Sequence, residues 1–356
     1  MIKEVADFIK KNGNKKTVII FDTDGDGIGS AVILAKTFKK LFKRTPKAMP
    51  ASHDLFFITK DMFKEIKNKK FDFVITVDIA IDEKPNYILK LAKKSKILII
   101  DHHQIHRNLN RIKNILHFNP SLWKTKIPSY KYCTSKIVYD ACNKLANIED
   151  LDWLAGIGIV NDRSEDKWKI FLNKIYRKYN LSLSKLRLIN NMITSSYHHS
   201  RTKGIKIGYK ACLEVSSPID ILKTKTPSSK KLKKFYNIIE REIVLTMKNW
   251  KKNAEIIENK KLIILKLKTK FSINSPISTK ISIEKPNYIV VVARKRGKMI
   301  YMSLRRQDKK VNCGKITSKL SRGLKNSSGG GHMPAAGIHI MAKDWTKFRK
   351  RILTLL

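Results

Sequence analysis

Cysteine is scarce in this chain, and its spacing excludes two kinds of small-protein architecture. The 356 residues include four cysteines, Cys133, Cys142, Cys212 and Cys313, and none of them form a Cys-x-x-Cys pair. The sequence therefore predicts neither a cysteine-based zinc motif nor a disulfide framework. Cysteine use of this kind is typical of a reducing compartment, so we expect a cytoplasmic location.

Long apolar runs are also missing. No stretch approaches the roughly 20 consecutive apolar residues that a membrane-spanning helix needs. The first residues have no pattern of a secretory signal. We therefore expect no membrane partner.

Acidic residues are few beside the basic ones. The chain has 29 Asp+Glu against 75 Lys+Arg, which gives a formal net charge of +46. Such a charge favours a polyanionic partner, bound in a salt-sensitive way, over a small and weakly charged substrate. Lysine and isoleucine are abundant throughout, however, so a bias toward A·T-rich codons would produce much of this excess. The basic runs at 39–47, 223–234 and 294–298 are more typical of solvated surface than of specific contacts.

The carboxylates that are present are concentrated where an apolar segment ends. The sequence VIIFDTDGDGIGSA at 18–31 predicts a buried strand, then Asp22, Asp24 and Asp26, then a helix that opens at Gly27. An Asp-rich turn before a helix is often only a helix cap. Three alternating carboxylates are more negative charge than a cap needs, and they favour a metal site.

Three later elements repeat this construction. The run at 71–77 ends at Asp78, the run at 97–100 ends at Asp101, His102 and His103, and a glycine-containing helix at 151–162 delivers Asp162. In a parallel sheet the carboxyl ends of the strands converge, so such ligands can meet. Carboxylates suit hard divalent ions, and imidazole shifts the preference toward Mn²⁺ over Mg²⁺. Two such ions, roughly 3.5–4 Å apart, can activate water and clamp a phosphoryl group, which predicts phosphoester hydrolysis.

These motifs, taken in order, resemble those of the DHH phosphoesterase superfamily. The GGGHMPAAG at 329–337 resembles the signature of the DHH-associated substrate-binding domain. The order of all five motifs, SINSPIS at 272–278 and SLR at 303–305 are most similar to archaeal RecJ-like exonucleases. The resemblance implies an α/β protein with a parallel-sheet DHH domain at 1–165, a helical connector at 166–259, and a smaller α/β substrate-binding domain at 260–356.

The resemblance also implies a role for each motif residue. Asp78 would bridge two divalent ions, Mn²⁺ or Mg²⁺, and His103 would reach the scissile phosphate while Asp101 orients the histidine pair. Many relatives have a histidine at or shortly before the position of Asp22, so this chain departs from the family pattern at the first ion. The remaining ligands would be Asp22 and Asp24 for one ion, and Asp26, His102 and Asp162 for the other.

The residue types of the C-terminal motif also indicate anion binding. Gly329, Gly330 and Gly331 would let exposed amides approach an anion closely. His332 and Arg305 would then grip a phosphate or terminal nucleotide, because the planar guanidinium binds phosphate bidentately. We expect this domain to close over the metals. The same module occurs in alanyl-tRNA synthetases, so alone it would indicate RNA handling.

Three functions follow from the resemblance. The first is a metal-dependent exonuclease on single-stranded DNA or RNA, with association with the GINS complex as in archaeal relatives. The second is a hydrolase of short oligonucleotides or cyclic dinucleotides, which stays an alternative because we expect no room for a separate oligonucleotide-binding domain. The third is a non-catalytic replication scaffold, which the intact ligand set disfavours.

Periodicity predicts most of the remaining elements. The stripe from Leu232 to Trp250 is interpreted as packing, and Tyr197-His198-His199 as a surface histidine pair. Asp344 is predicted to cap a closing helix. Helices are predicted at 2–11, 28–42 and 232–250, a turn at 227–229, helical periodicity from 166 to 259, and strands at 262–268, 288–293 and 299–304 with a turn at 294–297.

Overall fold

The computed structural model describes residues 2–51, 58–123, 125–308, 310–331 and 333–356. The chain divides into two compact units, Met1–Tyr236 and Asn237–Leu356. Residues of the predicted connector, such as Leu172, Leu186 and Leu232, belong to the hydrophobic core of the first unit. The three-part division at 165 and 259 stays a prediction. No helix in the described ranges is long and apolar enough to cross a membrane.

The first unit is built on a parallel sheet, as the sequence predicted. Its strands lie in the order β2-β1-β3-β4-β5, and every adjacent pair is parallel. Alternate residues of β1 enter two separate cores, with Ile19 in one and Ile20 in the other. Burial on both faces explains the continuous apolar runs. The strands are β1 Thr17–Phe21, β2 Lys47–Pro50, β3 Phe73–Val77, β4 Lys96–Ile100 and β5 Ile115–Phe118.

Helices contribute buried apolar side chains to both cores. The segment predicted from 28 to 42 begins at Gly25, because Asp24 caps it and the glycines fit into its first turn. The helices are α1 Ile2–Asn12, α2 Gly25–Phe42, α3 Lys60–Asn68, α4 Asn86–Ala92, α5 Thr134–Asn143, α6 Asp152–Asn161, α7 Lys169–Tyr179, α8 Leu183–Glu214, α9 Pro218–Leu222 and α10 Pro227–Asn253, the last of which runs on into the second unit.

Helix α8 is two helical segments that are broken at Arg201, where φ is 49° and ψ is −131°. A Cβ on Gly204 would lie 1.7 Å from the backbone oxygen of Ser196, so the segments approach each other closely beside the break. The histidine pair precedes it. The prediction that both histidines lie on the surface needs correction. Both residues are partly buried, and the ring of His199 stacks on Phe235 with 4.0 Å between centroids.

The second unit is a mixed sheet with helices. Its strands lie in the order β10-β11-β9-β8-β7-β6, in which only the pair β7 and β8 is parallel. Core residues from β7, β8 and β9 pack with Phe348 and Ile352 of the closing helix. The elements are β6 Ala254–Ile257, β7 Leu262–Leu267, α11 Asn274–Glu284, β8 Ile289–Arg296, β9 Met299–Arg305, α12 Cys313–Ser321, β10 Ser328–Gly331, β11 Ala335–Met341 and α13 Trp345–Leu355.

Four local predictions need correction. Residues 227–229 form the first turn of α10, where proline is well tolerated, and the Thr226 hydroxyl accepts the Ser229 N–H at 3.1 Å. The helical pattern stops at Asn253, because the next residues pair with β7. Strand β8 continues to Arg296, so the turn lies at Gly297 with φ +54°. Asp344 precedes α13, but its side chain makes no capping hydrogen bond.

Candidate metal centre

The first carboxylates lie in the turn between β1 and α2. Asp22 directly follows β1, and a Cβ on Gly27 would lie 2.4 Å from its backbone oxygen, so this close approach requires glycine. One carboxylate oxygen of Asp24 accepts the N–H groups of Asp26 and Gly27, both at 3.0 Å. Asp24 is therefore a helix cap as well as a predicted ligand, and its other oxygen is left for further contacts.

Asp78 follows β3 in a left-handed backbone conformation. Its φ is +63°, a region that asparagine and aspartate tolerate better than most residues. Its N–H donates to the Ile100 oxygen at 3.0 Å, which fixes the turn against β4. The side chain is 3% exposed.

The histidine pair follows β4 and has two different environments. The Asp101 carboxylate and the His103 Nδ1 lie 2.7 Å apart, and His103 is 36% exposed whereas Asp101 is buried. His102 Nδ1 lies 3.3 Å from the Ser129 oxygen, to which it can only donate. The neutral His102 ring then directs the Nε2 lone pair toward Asp78 Oδ1 at 3.5 Å and Asp162 Oδ2 at 3.4 Å.

Helix α5 contributes contacts that the sequence did not reveal. The N–H groups of Thr134 and Ser135 donate to the two carboxylate oxygens of Asp26, at 2.7 and 2.8 Å. The Thr134 hydroxyl donates to Asp78 Oδ1 at 3.2 Å. A helix N-terminus carries partial positive charge, so it stabilises the buried Asp26 carboxylate. The one available signal was a Cys-Thr-Ser segment before a helical pattern, which does not indicate its target.

Asn161, at the end of α6, is a second residue that sequence reasoning missed. Its side-chain amide donates to Asp24 Oδ2 at 2.7 Å and to Asp162 Oδ1 at 3.1 Å. It therefore fixes a carboxylate from the first motif relative to one from the fourth. The Oδ2 atom of Asp162 is buried and has no hydrogen-bond partner among the described residues.

Burial of several carboxylates close together raises their pKa values. Burial, and then the Asp24 charge, raise the pKa of Asp22 to about 7. Burial, and then the Asp26 charge, raise the pKa values of Asp78 and Asp162 well above their ordinary value. Burial likewise raises the pKa of Asp26. The cluster is thus poorly compensated without added positive charge.

The histidines respond in opposite directions. Burial alone would lower the pKa of His103, but the charge and hydrogen bond of Asp101 raise it to about 10. Burial alone would raise the pKa of Asp101, and the His103 charge and hydrogen bond lower it instead. Burial, and then the His103 charge, lower the pKa of His102, which favours its neutral form. His103 is therefore a cation at neutral pH, and His102 is a neutral donor of a lone pair.

These residues fit divalent ions. Among the described residues, possible ligand atoms lie within 4.8 Å of one another in each of three groups. The unpartnered Asp162 Oδ2, the inward lone pair of His102 and the raised pKa values all indicate a place for cations between the carboxylates. The groups are Asp22, Asp24 and Asp78; Asp78, His102 and His103; and Asp26, Cys133 and Asp162.

The predicted substrate residues lie in the second unit. Arg305 ends β9, and its guanidinium donates to the Ala336 oxygen at 3.3 Å and to Ser275 Oγ at 2.9 Å. Residues 329–331 form the edge strand β10, where a Cβ on Gly329 would meet the backbone of Thr317 at 2.3 Å. The three glycines, predicted to present exposed amides to an anion, therefore lie in a strand that packs closely against α12. His332 lies outside the described residues.

Comparison with known families and structures agrees with this architecture. The DHH family N-terminal domain matches residues 16–158, and the DHHA1 domain matches residues 259–356. The single-stranded-DNA-specific exonuclease RecJ of Bacillus subtilis (strain 168) is 30% identical over 121 residues, which are 33% of this chain and 15% of that protein. The chain thus aligns with a small part of that relative.

Two solved structures extend the likeness to the whole fold. A DHH domain described as a member of the s1p family of ribosomal proteins has a TM-score of 0.78 at 16% identity, over 99% of this chain and 89% of that chain. RecJ from Thermus thermophilus, in complex with Mn²⁺, has a TM-score of 0.72 at 15% identity, over 99% and 54%. At these identities the likeness establishes the fold alone. With both domains matched in order, the chain belongs to the DHH superfamily and carries a C-terminal DHHA1 domain.

Proposed function

We propose that this protein is a RecJ-like, metal-dependent exonuclease that hydrolyses phosphodiester bonds of single-stranded DNA or RNA. The observation that carries the proposal is the convergence of Asp26, Asp78, His102 and Asp162 from four separate segments, with an unpartnered carboxylate oxygen and an imidazole lone pair facing each other. Burying these polar groups without partners destabilises the folded state, whereas a metal ion bound between them would be coordinated by them. Divalent ions bound there would supply Lewis-acid activation of water and of the phosphodiester.

The roles of the ligands follow from their positions. Asp78 occurs in two of the three ligand groups, which supports its assignment as the bridging carboxylate. Asp22 and Asp24 would complete one position, and Asp26, His102 and Asp162 the other. RecJ from Thermus thermophilus has been solved in complex with Mn²⁺ and also in complex with Mg²⁺, which supports either ion here, and the imidazole ligand favours Mn²⁺.

His103 has the properties of a phosphate-binding cation. Its pKa is raised to about 10 beside Asp101, so the ring is charged at neutral pH, and it is exposed enough to reach a ligand. A charged imidazole can donate a hydrogen bond to a non-bridging phosphate oxygen and stabilise negative charge that develops during hydrolysis. Asp101 would hold the ring in place throughout.

The second unit would bind the strand. Arg305 ends a strand of this domain, and β10 is an edge strand, so one set of its backbone groups is not used by the sheet. These groups, with His332, would contact phosphate or the terminal nucleotide. Association with the GINS complex and a cytoplasmic location stay predictions.

Hydrolysis of end-labelled single strands tests the proposal. Strands from a dinucleotide upward, as DNA and as RNA, are incubated with Mn²⁺, with Mg²⁺ or with chelator. We expect Mn²⁺-dependent shortening of long strands, and its loss in Asp78→Asn, which keeps a residue that tolerates positive φ. Asp72→Asn, at an exposed carboxylate of the same unit, is the matched control.

The other outcomes select the rival functions. Cleavage confined to the shortest strands or to cyclic dinucleotides would replace the exonuclease with an oligonucleotide hydrolase. No hydrolysis of any substrate with either ion would overturn the enzymatic proposal and favour a scaffold.

A further inference from the structure

The Cys133 thiol lies beside the metal centre, although no role was predicted for it. Cys133 is fully buried and directly precedes α5, whose first N–H groups hold Asp26. Its Sγ and carboxylate oxygens of Asp26 and Asp162 all lie within 4.8 Å of one another. The Asp162 Oδ2 has no hydrogen-bond partner among the described residues and lies 3.4 Å from His102 Nε2. A sulfur ligand is thus available next to an oxygen and a nitrogen ligand.

Sulfur changes which ions this position prefers. Mn²⁺ and Mg²⁺ are hard ions that favour carboxylate oxygens, whereas Zn²⁺ and Cd²⁺ bind thiolate strongly. A tetrahedral ion needs four ligands. Asp26, Cys133 and Asp162 offer three atoms within 4.8 Å of one another, and His102 Nε2, 3.4 Å from Asp162 Oδ2, or a water molecule would supply the fourth. The same pocket can therefore present two ligand sets, with and without sulfur.

We propose that Zn²⁺ or Cd²⁺ draws Cys133 Sγ into coordination with Asp26 and Asp162, whereas Mn²⁺ is held by oxygen and imidazole ligands alone. The metal–sulfur bond forms as the S–H bond breaks, the proton leaves to solvent, and no electrons are transferred. A thiophilic ion would then occupy a position that Mn²⁺ needs, so zinc would inhibit the protein. The inference rests on the proposed metal centre, but it concerns ligation and not hydrolysis.

Cadmium titration of the full-length protein tests the ligation directly. Sulfur-to-cadmium charge transfer gives an ultraviolet absorption band that oxygen and nitrogen ligands do not give. We expect a saturable band in the wild type, its loss in Cys133→Ser, and its persistence in Cys142→Ser. Cys142 is a matched control because it is also buried and lies on α5, the helix that Cys133 directly precedes. Excess Mn²⁺ should suppress the band, and Cys133→Ser should bind Zn²⁺ at least roughly tenfold more weakly.

Several results would overturn the inference. These are no band in the wild type, a band of equal size in Cys133→Ser, or a band that excess Mn²⁺ leaves unchanged. If Cys133→Ser does not fold, cadmium NMR of the wild type decides, since a thiolate ligand moves the resonance far from that of a site without sulfur.

The two proposals can fail separately. A Cys133-dependent band in a protein that hydrolyses nothing would keep this inference and reject the exonuclease. Mn²⁺-dependent hydrolysis without the band would do the reverse.

Discussion

Replacement of Asp22 by Asn should stabilise the metal-free protein while it weakens metal binding. Burial and the neighbouring Asp24 charge raise the pKa of Asp22 from 3.8 to about 7. A difference of about 3 pKa units corresponds to about 4 kcal/mol of destabilisation when the group is charged. Because the side chain is partly exposed, we expect solvent screening to reduce this to about 2 kcal/mol.

The sign of the pH dependence follows from the raised pKa. Between about pH 4 and pH 7 the folded state retains a proton that the unfolded state has released, so this group's contribution to stability falls as the pH rises and stays low above pH 7. Asn carries no charge and avoids this loss. The variant should therefore gain most at pH 8 and less at pH 5.

Thermal unfolding in chelator measures the effect. For a unit of this size, 1 kcal/mol shifts the melting temperature by roughly 2–4 °C, so Asp22→Asn should melt several degrees above the wild type at pH 8. In excess Mn²⁺ the order should reverse, because binding to the folded state stabilises the wild type more. Asp72→Asn, at an exposed carboxylate, should show neither change. A variant that melts at or below the wild type in chelator at pH 8 would refute the reasoning.

Two further substitutions test the supporting structure. Thr134→Val removes the 3.2 Å hydrogen bond to Asp78 and should weaken Mn²⁺ binding roughly tenfold by calorimetry, with recovery in Thr134→Ser; equal weakening in both would contradict a role for the hydroxyl. Gly204→Ala places a methyl group 1.7 Å from the Ser196 oxygen and should lower the free energy of unfolding by about 1–3 kcal/mol in denaturant titration. Gly330→Ala, where the methyl group meets nothing within 4 Å, is its control, and similar losses in the two would count against the steric explanation.

The clustering of the predicted ligands could be anticipated because the segments that carry them follow strongly marked elements. Asp22, Asp78 and His102 come after apolar runs, and parallel strands bring their ends to one edge of a sheet. The position of these residues after apolar runs therefore predicted that they lie close together in the fold. The parallel sheet of the first unit was predicted for the same reason.

The residues that hold the ligands could not be predicted. Thr134 and Ser135 reach Asp26 across more than a hundred residues, and that contact depends on how α5 packs against α2. The break at Arg201 is equally hidden, since arginine is a good helix former and its strained backbone is maintained by surrounding structure. The local sequence pattern predicts whether a segment is a helix or a strand, whereas long-range packing decides which residues it contacts.

The parallel sheet of the first unit affects the order in which parts of this protein fold. Strands β1 and β3, which pair side by side, are separated by the whole of α2, β2 and α3, and the last predicted ligand, Asp162, follows α6. Contacts between distant parts of a chain form slowly, because loop closure must come first. We therefore expect the predicted ligands to come together only after this long-range pairing, so that an ion would bind there only once the first unit has been assembled.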